Sequence, residues 1–516
     1  MDDLQKGELP AEPAAGFPSN RRAESGSMKR LSQDTIVYGV GMILSRAVSF
    51  IMLPVYTRYL TPADYGIIQF LQISLDVVSI LLGAGVTTGV LRFYFKAESD
   101  HERSVVVVTA FTMLAALNSA GALLLVILAP WLSGPLFHGA GSPNFIRIAA
   151  CSFALEACIT VPLLLMQARG RAALYNVATL SKLLLGLSLN IFFVVGLGWK
   201  VGGILVANLI TQIVIGTSLV VWMLRQTRVL PSARAERDLR RFGMPHQVAT
   251  AGTFILTFGD RFFLEAFHGL AAVGLYGLAY QFGFLLVNLG ASPFFRAWSP
   301  QRLQLAASPR EYRDDKYNRA FKYLNLIIVS LAVGISLFIR PALAIMSAPS
   351  FGPAARLVPV ILAAYMAQIW TDAVSLGIEV SERTKYVTYA TWISVVVILA
   401  LYTALIPAFG GMGAAVATLA AFIVRLVLIY RWSQRLWPVS WRWSPSLGLV
   451  GVATAIVTTN MLVAPAAFTS QIVLAAGFGL LFAGVVWTTF LSADDRVVLA
   501  KLVSSPRQAI ATILSR

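Results

Sequence analysis

Fourteen apolar runs of about 20 residues, each long enough at 1.5 Å rise per residue to cross the hydrocarbon core of a bilayer, follow one another along this chain. They cover residues 34–57, 66–92, 104–128, 145–168, 174–197, 201–224, 242–267, 274–297, 321–345, 356–380, 387–407, 411–431, 445–464 and 471–491. The connections are short. The longest, 225–241 and 298–320, cannot hold a folded domain. Only 13% of the 516 residues are charged and 57% are hydrophobic. A soluble chain carries about 25% charged residues, so this one lacks the polar surface to coat a globule in water. A soluble enzyme, a disordered protein and a secreted disulfide scaffold are excluded. The expected fold class is an all-α polytopic membrane protein.

The net charge of +17 does not point to nucleic acid, because the cations sit in short clusters between the apolar runs. With the N-terminus in the cytoplasm, thirty-two of the 41 Lys and Arg residues fall on the cytoplasmic side. Five fall opposite: Arg58, Arg147, Lys200, Arg340 and Arg356. One missed span would invert everything after it, so this asymmetry predicts fourteen spans with both termini cytoplasmic. Residues 1–28 hold no apolar core and read as a flexible tail.

A shift of 211 residues aligns the punctuation of the chain without a gap. Gly41 meets Gly252, Tyr65-Gly66 meets Tyr276-Gly277, Pro130 meets Pro341, Tyr175 meets Tyr386 and Gly202 meets Gly413. Spans one to six fall on spans seven to twelve with the same orientation, so the repeat is parallel. The expected organisation is a tail (1–30), two six-helix bundles (31–230 and 231–440) facing each other across a cleft, and two added helices (441–516).

The run LSQDTIVYGVGMILSRAVSFIMLPVYTRYLTPADYGI (31–67) resembles the opening helix and elbow of polysaccharide and O-antigen exporters. GDRFFLEAFHGLAAVGLYGLAYQFG (259–283) and FRAWSPQ (295–301) resemble the same family, part of the multidrug/oligosaccharidyl-lipid/polysaccharide exporter superfamily. The resemblance covers roughly residues 30–435. It implies a bacterial inner-membrane flippase that moves undecaprenyl-pyrophosphate-linked oligosaccharide units outward, coupled to a proton or sodium gradient. The implied partners are that lipid-linked substrate, membrane lipids, and the polysaccharide polymerase and export machinery.

Charges inside spans cost at least about 2.5–3.5 kcal/mol at the bilayer centre, so they need a partner or a watery cavity. Arg46 lies twelve residues into span one, with Met42, Ile43, Ser49 and Phe50 as its helical neighbours. Arg261 in span seven falls one turn beyond it after the repeat shift. Lys182 lies in span five. Together these cations suit a pyrophosphate, whose diffuse charge fits guanidinium forks. The structural alternatives are an Arg261–Glu265 intrahelical pair, an Arg46–Asp76 pair between spans, and Lys182 snorkelling to the cytoplasmic face. Arg425 is expected to snorkel and Glu379 to be a solvated helix end. Asp76, Asp260, Asp372 and Glu265 are candidates for ion coupling or counter-ion duty. Tyr38, Phe50, Tyr56, Phe254, Phe258, Tyr276, Tyr280 and Phe284 are candidates for stacking on sugar, with helix packing as the alternative; Tyr280 is the chosen site residue among them.

Four scattered histidines and no phosphate-binding glycine loop predict a chain without metal, cofactor or ATPase of its own. Three rival functions stay open. A drug antiporter predicts acidic residues dominating the cleft. A membrane glycosyltransferase or polymerase predicts a sizeable outward loop. A lipid II flippase shares the span count.

Overall fold

The computed structural model describes residues 52–496, apart from 138–140, 464, 466 and 494. Arg46, Tyr38 and Phe50 lie outside the described residues, as does span one up to residue 51.

Among the described residues every regular element is helical. Span one ends as helical residues 52–59. Span two is α1 (Pro62–Leu82) and α2 (Ala84–Lys96), and span three is α3 (Asp100–Phe137). Span four is α4 (Pro143–Ala154) and α5 (Ala157–Ala168). Span five is α6 (Ala172–Asn190), running into a π-helical turn at Ile191–Gly196, and span six is α7 (Lys200–Thr227). Spans seven and eight share α8 (Ala233–Phe258), α9 (Asp260–Leu286), a π-helical turn at Val287–Ala291 and α10 (Ser292–Leu305). Span nine is α11 (Arg310–Met346). A 3-10 turn at Pro349–Arg356 leads to span ten, α12 (Val358–Val374) and α13 (Leu376–Val380). Spans eleven and twelve are both within α14 (Lys385–Leu436). Span thirteen is α15 (Trp443–Val463), and span fourteen is α16 (Phe468–Val485) with the π-helical turn Val486–Phe490.

Among the described residues, eleven helical stretches are long and apolar enough to cross a membrane, and two of them, Gln247–Leu305 and Lys385–Leu436, are double. Each folds back at a glycine: Gly269 (φ 74°, ψ 178°) and Gly410 (φ 53°, ψ −131°), backbone angles that only glycine adopts freely. The Tyr276 hydroxyl donates to Asp260 Oδ2 at 2.7 Å, and Tyr402 and Thr418 meet at 3.4 Å, each pair 16 residues apart. A straight helix would hold such pairs about 24 Å apart. Spans two to fourteen thus all have helical counterparts. Span nine begins at Arg310 rather than residue 321 because REYRDDKYNRAFK is an amphipathic extension.

The elbow motif has a local cause. Thr61 caps α1: its hydroxyl oxygen accepts from Asp64 N at 3.2 Å, while Asp64 Oδ2 accepts from Thr61 N at 3.0 Å. With Pro62 at the first helical position, this capping box fixes where span two begins.

Span two then meets the later spans at both of its ends. Near its start, a Cβ on Gly66 would fall on the Leu270 carbonyl, and one on Gly274 would fall on the Pro62 carbonyl. Near its other end, a Cβ on Gly85 would fall on the Gly243 carbonyl. Only residues without side chains allow helices to approach this closely. Span two is therefore in backbone contact with span eight near its start and with span seven near its other end.

Candidate central cavity

Beside the Gly66 crossing lies a cavity of about 610 Å³, lined by the end of span one and by spans two, five, six and eight. Span five contributes Thr179, Lys182, Gly186 and Asn190, a spacing of three and four residues that keeps them on one helix face. Span eight contributes Gln281, Phe284 and Asn288 in the same way. Gln69, Asn208, Thr211, Tyr56 and Tyr65 complete the polar wall. Lys182 is the one charged side chain among the described lining residues.

Two asparagines sit where their helices widen into π-helical turns, a distortion common at functional sites. Asn190 Nδ2 donates to Gly186 O at 2.8 Å, and Asn288 Nδ2 donates to Phe284 O at 2.7 Å. Each amide nitrogen is thus tied to its own helix. Asn190 Oδ1 is buried and lacks a donor. A hydroxyl-bearing ligand would supply one.

Lys182 is half-buried, with Glu156 in its electrostatic surroundings. Glu156 stands at the break between α4 and α5, within electrostatic reach of Asp76 on α1. Asp76 accepts from Gln72 Nε2 at 3.0 Å.

Arg261 lies elsewhere. It is 1% exposed and paired at 2.6 Å with Asp260, itself 0% exposed. Its Nη1 also donates to Thr257 O at 3.0 Å. Asp260 Oδ2 accepts from Tyr276 at 2.7 Å and Tyr280 at 3.2 Å. The rings of Phe258, Tyr276 and Tyr280 cage the guanidinium, with Tyr280 nearest at 4.1 Å. The carboxylate that neutralises Arg261 is thus Asp260, not Glu265, because the guanidinium folds back toward the preceding turn, where it also meets the Thr257 carbonyl. Glu265 is buried nearby on α9. Tyr280 stands one ring behind the cavity wall, against Phe284 at 6.0 Å.

The acids of span ten are also tied in. Asp372 accepts from Gln368 Nε2 at 3.3 Å. Arg425 donates to Gln368 Oε1 at 2.8 Å, so it turns inward rather than snorkelling. Glu379 does stand at a helix end with its side chain partly exposed, but it is also paired: Arg302 Nη2 reaches both its oxygens at 2.7 and 2.9 Å. Of the stacking candidates, Tyr56 and Phe284 line the cavity, while Tyr276 and Tyr280 are buried around Arg261 and the half-buried Phe258 packs on its other side. The five carboxamides were missed by sequence reasoning that followed charge alone. Their signal was uncharged polar residues recurring at helical spacing inside apolar spans. Among the described residues no group of three His, Cys, Asp or Glu could hold a metal ion.

A many-spanned helical bundle with an amide-lined cavity defines a membrane protein with a transporter fold. The family model described as polysaccharide biosynthesis protein matches residues 31–306, and the chain belongs to that family. None of the curated proteins matches it in sequence. Among solved structures, the lipid II flippase MurJ in an inward closed conformation superposes with a TM-score of 0.68 at 13% identity, covering 88% of this chain and 99% of MurJ. A multidrug resistance MATE family transporter of the MOP superfamily, inward-facing, gives a TM-score of 0.59 at 16% identity, covering 76% of this chain and 94% of that one. A MOP superfamily transporter from Pyrococcus furiosus, described as having a binding pocket of reverse polarity, gives 0.52 at 15% identity, covering 79% and 94%.

Proposed function

We propose that this protein is an inner-membrane flippase, both termini cytoplasmic, that moves undecaprenyl-pyrophosphate-linked oligosaccharide units outward for surface polysaccharide synthesis. The observation that carries the reading is the cavity itself: one cation, Lys182, amid five carboxamides and several hydroxyls, with no carboxylate among the described lining residues. Amides and hydroxyls exchange hydrogen bonds with sugar, and Lys182 attracts the pyrophosphate. Residues 31–230 and 231–440 serve as the two bodies that rock about the cavity, and 441–516 as an appendage. Arg46 is retained as a second cation of the site. Arg261 joins it when Asp260 gives it up as spans seven and eight repack, with Tyr280 then freed toward sugar. Asp76, Asp260, Asp372 and Glu265 are the coupling or counter-ion groups. Membrane lipids hold the polyprenyl tail, and the polymerase and export machinery take the product. No enzymatic step is assigned to the chain.

The test replaces Lys182 by Ala and by Arg and scores surface polysaccharide and lipid-linked precursor. Lys182→Ala is expected to lower export about tenfold and accumulate precursor, and Lys182→Arg to keep most of it. Normal export by Lys182→Ala would remove the cavity reading. The fold match over nearly all of MurJ favours a second reading, a lipid II flippase. Accumulation of the cell-wall precursor instead of the polysaccharide precursor would select it. A cavity whose charged lining residue is a cation opposes an antiporter of cationic drugs.

A further inference from the structure

A second cavity, of about 640 Å³, opens beside the last turns of α11, between the 3-10 turn Pro349–Arg356 and the start of α16. Two guanidinium groups reach it. Arg340 is half-buried and Arg356 is exposed, and each lies in the electrostatic field of the other. Ser347 and Gln471 add polar groups, and no carboxylate is among the described lining residues.

Helix-end capping accounts for part of this charge. Arg340 Nη2 donates to Met461 O at 3.0 Å, and the neighbouring Arg58 donates to Ile345 O at 2.7 Å. It does not account for Arg356, whose side chain has no protein acceptor among the described residues. Two like charges at one cavity repel each other unless an anion is shared between them. Cations are also scarce on this side of the membrane: of the five there, Arg58, Arg340 and Arg356 gather at one end of α11.

We propose that this cavity binds a phosphate headgroup at the membrane–water boundary on the side opposite the termini. The two guanidinium forks would clasp its oxygens. The chemistry fits an anionic phospholipid of that leaflet or the pyrophosphate of a lipid that has just crossed. The site stands apart from the central cavity and does not depend on the reading of Lys182.

The test is native mass spectrometry of the full-length protein in detergent, with phosphatidylglycerol, phosphatidylcholine and inorganic pyrophosphate as probes. Wild-type protein is expected to retain phosphatidylglycerol over phosphatidylcholine, and Arg356→Gln to retain about tenfold less, matching the loss of a charge-assisted contact. The pyrophosphate arm is read in Lys182→Ala protein, so that the central cavity does not contribute to it. Phosphatidylglycerol that resists millimolar pyrophosphate identifies the phospholipid as the source; pyrophosphate binding by Lys182→Ala that a further Arg356→Gln change abolishes, without lipid preference, identifies the pyrophosphate. Equal retention of both lipids, unchanged in Arg356→Gln, with no pyrophosphate binding by Lys182→Ala, overturns the proposal. Arg356 carries the test because Arg340 also holds α15, and an unshifted thermal midpoint confirms that the variant is folded.

Discussion

The carboxylate of Asp260 lies 2.6 Å from the guanidinium of Arg261, the next residue in the chain, and both are sealed from solvent. Consecutive helical residues ordinarily point about 100° apart and do not meet. Here the backbone stays helical through Gly259, and the long Arg261 side chain folds back so that its Nη1 reaches both Asp260 Oδ1 and the Thr257 carbonyl. Removing one partner strands a buried charge, which costs about 3–5 kcal/mol, whereas replacing both by apolar residues is far milder. Asp260→Ala should therefore lower the thermal midpoint more than Asp260→Leu with Arg261→Met. Thermal unfolding of the two variants checks this, and equal losses would deny the coupling.

Gly66 and Gly274 each face a backbone carbonyl of the opposite helix. A methyl group at Gly274 must push the helices apart, at about 1–3 kcal/mol for overpacking. Gly277 approaches Gln69 one turn further along, so a cysteine pair at those two positions reports the separation. Gly274→Ala is expected to reduce the yield of that cross-link. An undiminished yield would mean that the crossing tolerates a side chain.

Asn190 keeps a buried acceptor without a donor, so its present environment stabilises the fold little. Asn190→Leu should leave the thermal midpoint unchanged or raise it. Export should nevertheless fall about tenfold, because a sugar hydroxyl loses its acceptor and the cavity loses polarity. Parallel unfolding and export measurements separate the two effects. A variant both stable and fully active would show that Asn190 does not meet the passenger.

The far end of the described chain is fastened to span nine. Asp495 accepts from Lys322 Nζ at 2.6 Å, Tyr323 at 2.6 Å and Ser492 N at 3.0 Å. Burial disfavours its charged form, but these donors outweigh that and hold the carboxyl well below the usual carboxylate range. A depressed folded-state pKa makes the contribution complete above the unfolded value of about 4 and lost as pH falls through the lower folded one. Stability measured from pH 7 downward should therefore show an Asp495-dependent decline only below about pH 4. Asp495→Asn should remove that part of the acid sensitivity.

Helix number and kind were legible because lipid leaves one signal, the long apolar run. The reversals at Gly269 and Gly410 were legible as breaks between runs. Charge partners were not. Asp260 and Arg261 are adjacent in sequence, and only the backward fold of the Arg261 side chain makes them a pair. Arg425 and Glu379 read as ends of helices because nothing local shows that Gln368 and Arg302 await them. The carboxamide wall went unread because its members come from four separate helices, and each alone resembles a tolerated polar residue. Lys182 was legible because a lone ammonium within an apolar run has few places to go.

Span two is pinched against the same set of later helices at Gly66 and again at Gly85. A stiff rod held at two points can pivot on one while the other parts. Parting both together would forfeit two dry backbone contacts at once, so a continuous aqueous conduit is the costliest arrangement available to this molecule. Under the rocking motion proposed above, the electrical insulation of the membrane would reside in the same helix that tilts.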